Sequence, residues 1–242
     1  MFDLTGKKAL VTGSTQGIGF TLAETLAAQG ATVYINGAVS EEKIKAAVDR
    51  IPNAKAAHCD LAQRDCGEKL CQITGDIDIL VLNASVQFRA SWHEVTDAQM
   101  DEQYAVNFKA SVKLIQKYAP AMIAQNWGRI VMIGSVQQEV PHVDMPIYSA
   151  LKSAQVNLVR NLAKQFAPHG VTVNNVAPGV IRTPRNMAAL SDTAYEKQVL
   201  SKIPCGYAGE AKDCAGAVLL LCSEEGRYMT GENIFTDGGM KL

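Results

Sequence analysis

Seven short runs of apolar and β-branched residues punctuate the chain: KALVT (8–12), TVYIN (32–36), AKAAHC (54–59), IDILVL (77–82), RIVMIG (129–134), VTVNNV (171–176) and NIFTD (233–237). Several are apolar throughout rather than alternating, as in strands covered on both faces of a parallel sheet. Amphipathic segments at 17–29, 41–50, 103–125 and 148–167 lie between them and predict helices. Gly30 ends the first such segment just before the second strand, as a glycine past a helix C-terminus does. Repeated strand, helix, strand predicts an α/β fold: a doubly wound, Rossmann-type parallel sheet of seven strands with helices on both faces. No linker, low-complexity tract or internal repeat divides residues 1–242, which read as a single domain. One stretch, about 182–209, is too long for an ordinary connection and reads as an irregular substrate loop.

Composition adds limits. Hydrophobic residues make up 48% and charged residues 19%, with a net charge of −1. Such a balance gives no electrostatic reason to expect nucleic acid or an anionic membrane as partner. No run of about 18 apolar residues predicts a membrane-spanning helix. The N-terminal MFDLTGKKALVTG lacks the basic-then-apolar order of an export signal. The six cysteines form no C-x-x-C, and neither they nor His58, His93, His142 and His169 have metal-ligand spacing. Reduced thiols and a cytoplasmic location are therefore expected.

VTGSTQGIG (11–19) follows the first strand and opens the first helix. Gly13 suits a tight turn, Gly17 lets backbone approach a pyrophosphate at the helix N-terminus, and Gly19 allows close helix–strand packing. In the first βα unit of a seven-strand pattern, this triad predicts NAD(P) binding. The acid that commonly bonds the adenosine ribose after the second strand is absent; that place reads YINGAVSEE. Asn36 offers a ribose bond instead. Without a carboxylate to repel a 2′-phosphate, and without a cation at Gln16 or Ala38 to attract one, the cofactor is NAD or NADP, leaning toward tolerance of NADP. Asp60, after the third strand, reads equally as an acceptor for the adenine amino group or as the cap of the next helix.

IYSALKSA (147–154) sets Tyr148 and Lys152 on one helical face. Alone, such a pair is ordinary on a helix surface. Together with TGSTQGIG, DILVLNAS (78–85), AVNF (105–108), IGSV (133–136), APGVIRT (177–183) and GENIFTDGG (231–239), it resembles the short-chain dehydrogenase/reductase family over essentially the whole chain. The resemblance implies a catalytic set of Asn107, Ser135, Tyr148 and Lys152. Tyr148 would be the general acid/base, with its pKa lowered by Lys152 and by the nicotinamide ring. Ser135 would polarise the substrate oxygen, and Asn107 would hold a water relaying protons between Lys152 and solvent.

The resemblance also implies a cofactor site of Gly13, Ser14, Thr15, Gln16, Gly17, Ile18 and Gly19, with Leu61 beside Asp60. Asn83, Ala84 and Ser85, then Pro178, Gly179, Ile181 and Thr183, together with Tyr148 and Lys152, complete it. Leu82 and Ser85 depart from the family's Asn-Asn-Ala-Gly stretch, and Ser85 adds a side chain near the nicotinamide ribose. A homotetramer is implied, with helices 103–125 and 148–167 forming one contact and the last strand another.

SVQQEVPH (135–142) and Arg89 resemble the gluconate 5-dehydrogenase group of that family. Ser135, Gln137, Glu139 and His142 offer hydrogen bonds to several hydroxyls, and Arg89 or Arg185 suits a carboxylate. The expected substrate is a small hydroxylated molecule such as a sugar acid or polyol, bearing a secondary alcohol or ketone. Two alternatives are a 3-oxoacyl carrier-protein reductase and a non-catalytic dinucleotide sensor; the joint presence of Ser135, Tyr148 and Lys152 argues against the second.

Overall fold

The computed structural model describes residues 1–38 and 40–242. Seven strands form one sheet in the order β3-β2-β1-β4-β5-β6-β9. They are β1 (Lys8–Val11), β2 (Thr32–Gly37), β3 (Ala54–His58), β4 (Ile79–Leu82), β5 (Gly128–Ile133), β6 (Val171–Pro178) and β9 (Asn233–Thr236). Every pairing is parallel, with registers such as Val11↔Ile35, Val11↔Val81 and Leu82↔Met132. The doubly wound architecture read from the apolar runs is the one observed.

Alternate residues of single strands enter two separate cores. Ala9, Val11, Ile79, Val81, Val131 and Ile133 pack on one face with Leu22, Leu26 and Ile44. Those partners come from α1 (Gly17–Ala28) and α2 (Glu41–Val48), and α9 (Ala215–Cys222) covers the same face. Leu10, Leu80, Leu82, Ile130 and Met132 pack on the other face with Leu70, Leu114 and Val159. These belong to α3 (Cys66–Thr74), α5 (Ala110–Ala124) and α6 (Pro146–Phe166). The inner strands therefore need apolar residues on both sides, which removes the period-2 alternation.

The helix expected over 103–125 is longer and not uniform. It starts as α4 (Asp97–Tyr104), where Thr96 and Gln99 form a reciprocal capping box. It then widens into a π-helical turn, Ala105–Lys109, in which Ala110 N–H donates to Ala105 O, and continues as α5. Such wide turns accommodate one extra residue and often lie at functional positions.

The stretch at 182–209 is not irregular. Two short parallel strands, β7 (Ile181–Arg182) and β8 (Gly209–Glu210), pin its ends. Between them lie α7 (Pro184–Leu190), which starts on a proline, and α8 (Thr193–Leu200), capped by Asp192 accepting from Ala194 N and Tyr195 N. Neither helix presents an apolar stripe wide enough to read in sequence, and α8 has no buried residue. Among the described residues no helix is long and apolar enough to cross a membrane.

Candidate active site

In an open parallel sheet, ligands bind outside the carboxyl ends of the strands where the winding reverses. Here that point lies between β1 and β4, and a cleft of about 890 Å³ opens above it.

The cofactor side of the cleft is built from the glycine turn. Gly13 has φ +60, and a Cβ there would stand 2.9 Å from Ala84 Cα. A Cβ on Gly19 would collide with the Asn83 amide nitrogen and with Gly13 O. The turn and the 83–85 segment therefore meet at a separation only glycine permits. Thr12 joins them: its Oγ1 accepts from Asn83 N at 2.9 Å and Ala84 N at 3.0 Å. The Asn83 amide donates back to Thr12 O and Gly13 O. Gln16, at the α1 N-cap, makes no side-chain cap bond, and no acid occupies the first turn. Free N–H groups and an uncharged cradle that a Cβ would fill fit a pyrophosphate.

Thr15, Gln16, Gly17 and Ile18 line the cleft with Gly13 and Gly19. So do Asp60 and Leu61 on one flank, Ala84 and Ser85 on the floor, and Pro178, Gly179, Ile181 and Thr183 on the other flank. Two expected cofactor residues serve the scaffold instead. Ser14 is fully buried and outside the lining; its hydroxyl donates to Val11 O at 2.6 Å and accepts from Asn36 N at 3.0 Å. Asn36 borders the cleft, but its amide donates to Ala57 O and Cys59 O, and its Oδ1 accepts from Gly13 N. Both hydrogens of that amide are spent on backbone, so a ribose hydroxyl would meet only the second lone pair of Oδ1. Asp60 is not a helix cap, since α3 begins at Cys66; its carboxylate accepts from Ala62 N at 2.9 Å within a turn.

The chemical end of the cleft gathers Ser135, Tyr148 and Lys152. Ser135 lies two residues past the end of β5, and its hydroxyl accepts from Gln137 N at 3.2 Å. Tyr148 and Lys152 lie on α6, 6% and 1% exposed. Lys152 Nζ donates to Ile133 O at 2.7 Å and stands 5.5 Å from the Tyr148 ring centroid. Burial, and then the charge of Arg185, lowers Lys152 to about 7. Burial raises Tyr148; Arg185, then hydrogen bonds with Ser135 and Ser85, pull it back. Burial dominates and the Tyr148 phenol lies above its ordinary value, against the lowering expected from Lys152; the opposing pull comes from Arg185 and the two serines.

Asn107 sits in the π-turn, fully buried and outside the cleft lining. Its amide clamps Val86: Oδ1 accepts from Val86 N and Nδ2 donates to Val86 O, both at 2.8 Å. Its carbonyl accepts from Gln155 Nε2, three residues beyond Lys152 on α6.

At the mouth, two arginines cross in opposite directions. Arg89, in the loop after β4, reaches Tyr195 of α8, with Nη2 at 2.7 Å from the phenolic oxygen. Arg185, on α7, reaches back to Ser85, with Nη1 2.9 Å from Oγ and Nη2 2.5 Å from the carbonyl. Gln137 and His142 line the cleft, though the Gln137 carbonyl oxygen accepts from Ser149 Oγ. Burial, then Arg89, lowers the His142 pKa. Glu139 is turned away, 4.0 Å from Lys241. Lys202, Tyr195 and Glu102 also line the cleft and carry no sequence signal, because the fold of residues 182–209 decides where two of them fall.

The family described as Enoyl-(Acyl carrier protein) reductase matches residues 13–241. A 3-oxoacyl-(acyl-carrier-protein) reductase of Aquifex aeolicus is 37% identical, with 98% of each chain covered. Among solved structures, a 3-oxoacyl-(acyl-carrier-protein) reductase from Agrobacterium tumefaciens C58 with NADP bound superposes with a TM-score of 0.93 at 37% identity. That match covers 98% of this chain and 95% of the other. A gluconate 5-dehydrogenase from Burkholderia cenocepacia, in complex with NADP and tartrate, superposes with a TM-score of 0.92 at 33% identity, covering 99% and 96%.

Proposed function

Because this chain belongs to the short-chain dehydrogenase/reductase family, we propose that it interconverts a small hydroxylated carboxylate, such as a sugar acid, with its keto form, using NAD(P). The chain is an oxidoreductase acting on CH–OH groups. The observation that carries the substrate reading is the charge at the cleft mouth. Arg89, Arg185 and Lys202 line the cleft, and Asp60 and Glu102 are the carboxylates that line it among the described residues. A carboxylate-bearing substrate suits that balance, and several hydroxyls suit the polar wall at Ser135 and Gln137. The relative complexed with tartrate, a hydroxylated dicarboxylate, supports the same class.

The cradle of Gly13, Gly17 and Gly19, with Asp60, Ala84, Thr183 and Lys152, would hold the dinucleotide, which would supply hydride chemistry at the substrate's carbinol carbon. Ser135 binds the substrate oxygen and Tyr148 moves its proton: as phenolate it accepts the hydroxyl proton in oxidation, and as phenol it returns one in reduction. Lys152 would hold the nicotinamide ribose and supplies positive charge when protonated. Asn107 fixes the wall through Val86, and its carbonyl keeps a lone pair, beyond the one given to Gln155, for a water in the proton relay. The enzyme would act as a cytoplasmic homotetramer built through α5, α6 and β9.

The second reading, reduction of a 3-oxoacyl thioester, is favoured by the 37% identity to carrier-protein reductases. A turnover screen separates the two. NADH and NADPH are each tested with 5-ketogluconate, other keto sugar acids, simple ketoses and a short 3-oxoacyl thioester. Turnover of keto sugar acids supports the proposal; turnover of the thioester alone replaces it.

A further inference from the structure

Three side-chain amides meet beneath the turn that follows Ser135. Asn175 on β6 and Asn233 on β9 stand opposite each other in register, and Gln138 ends the single helical turn 136–138. The Asn175 amide donates to Asn233 Oδ1 at 2.7 Å and to Gln138 Oε1 at 3.2 Å. The Gln138 amide donates to the same Asn233 oxygen at 2.7 Å. The three bonds close a ring across three segments. Gly134, just before Ser135, makes room for it: a Cβ there would stand 2.6 Å from both Asn175 Nδ2 and Gln138 Oε1. Asn175 is fully buried, and its Oδ1 has no hydrogen-bond partner among the described residues. A buried acceptor left unpaired destabilises the fold, and an apolar side chain would carry no such cost. What an interior amide network does supply is one fixed arrangement where apolar packing would allow several.

Gln138 carries that arrangement to the reacting end. Its N–H donates to Ser135 O at 3.0 Å, and its carbonyl accepts from Ser153 Oγ at 2.8 Å. Ser153 follows Lys152 on α6. The Gln137 side-chain oxygen accepts from Ser149 Oγ at 3.0 Å, and Ser149 follows Tyr148. The turn is thus held to β6 and β9 on one side and to α6 on the other. The Ser135 hydroxyl, accepting from Gln137 N, takes its place from both.

Resting on the assignment of Ser135 to the substrate oxygen, we propose that Gln138, Asn175 and Asn233 are positioning residues whose amide ring sets the 135–138 turn, and with it the Ser135 hydroxyl, relative to Tyr148. None of the three lines the cleft, so their effect on the chemistry passes through Ser135.

The test uses Gln138→Leu and Asn233→Val, with circular dichroism reporting the fold. Asn233→Val lies on the edge strand and provides a second route should leucine disturb the turn. The hold is read first, without substrate, as backbone hydrogen exchange over residues 134–140. Exchange there should be faster in both variants, with β1 and β4 unchanged; unchanged exchange over 134–140 overturns the proposal. The catalytic consequence is read with NADPH and 5-ketogluconate, or with the short 3-oxoacyl thioester where the turnover screen selects it. Each variant should lower kcat by roughly 10- to 100-fold, the cost of a small misplacement of a reacting group, with little change in cofactor affinity. In a Ser135→Ala background the same substitutions should cost less than about twofold, because residues acting through one group are not additive. An equal loss in both backgrounds, or an unchanged kcat in the folded variants, overturns the proposal. Wild-type turnover in Ser135→Ala alone would instead fail the reading of Ser135, which the exchange measurement does not depend on.

Discussion

Lys152 directs its amine to the carbonyl of Ile133, 2.7 Å away, while the ring of Tyr148 lies with its centroid 5.5 Å from the same nitrogen. The lysine is thus tied to the end of β5 and fully desolvated. Burial first, and Arg185 second, brings it from 10.5 to about 7. Below about 7 the amine is charged in both the folded and the unfolded chain, and the cost of burying that charge is fully present. Between about 7 and 10.5 only the unfolded chain binds the proton, so this residue makes stability rise with pH across that window. Thermal denaturation of wild type and Lys152→Met should therefore give melting temperatures whose difference, variant minus wild type, falls as pH climbs from about 6 to about 10. A difference independent of pH would refute the buried-amine assignment.

Tyr148→Phe removes one hydroxyl and leaves the ring packed on α6. Turnover should drop by roughly 100-fold or more, the ordinary contribution of a positioned acid/base. NADPH affinity, followed by nucleotide fluorescence, should change little, because the cradle on β1 and α1 is untouched. Turnover within about threefold of wild type would remove Tyr148 from the chemistry.

Gly13→Ala places a methyl group 2.9 Å from Ala84 Cα at a residue with φ +60. The backbone conformation alone costs about 1–2 kcal/mol for a residue with a side chain. Cofactor affinity should fall by tenfold or more, because the glycine turn and the 83–85 floor must separate, at roughly 1.4 kcal/mol per decade. Nucleotide titration with a parallel melting curve measures both effects.

Asn107→Asp keeps an acceptor for Val86 N and loses the donor to Val86 O. A buried carbonyl left unpaired costs about 1–3 kcal/mol. The expected outcome is a lower midpoint in chemical denaturation, accompanied by a loss of turnover larger than that from Asn107-independent destabilisation of the same size, such as Leu22→Ala on the opposite face of the sheet. Equal activity losses in the two variants would reduce Asn107 to a purely structural residue.

The contact between Arg89 and Tyr195 spans the mouth from the β4 loop to α8. Bound NADPH with a keto sugar acid should protect residues 182–209 from limited proteolysis. Arg89→Ala and Tyr195→Phe should each weaken that protection, since each removes one end of the same bond. Equal cleavage with and without ligands would exclude closure of this segment over substrate.

The inner strands are legible because double coverage forces continuous apolar runs, and the ends of all seven fall within two residues of the runs read; the edge strands β3 and β9 are more exposed. Helices carried by other signals escaped. α9, AGAVLLLC, is apolar on every side and shows no helical period. α3 is only nine residues long, and α8 buries nothing. At the site, local motifs such as the glycine turn and the Tyr148–Lys152 pair are readable because backbone geometry places them. The direction of a side chain at a strand end is not: Asn36 turned inward to three backbone groups rather than toward the cleft. Lys202 and Tyr195 reach the cleft only through the folding of 182–209, a tertiary matter with no local signature.

The wide turn at Ala105–Lys109 makes chain length as much a part of the site as residue identity. One residue advances a helix by roughly 100°. Deleting a single residue from this turn would restore even winding and swing Asn107 off Val86, while α5, anchored by Leu114, Ile115 and Tyr118, stays in its core. Among homologous chains and in engineered libraries, indels between Thr96 and Ala110 should thus silence the enzyme without unfolding it. Alignment gaps at this turn become a marker of relatives that have kept the scaffold and abandoned the chemistry.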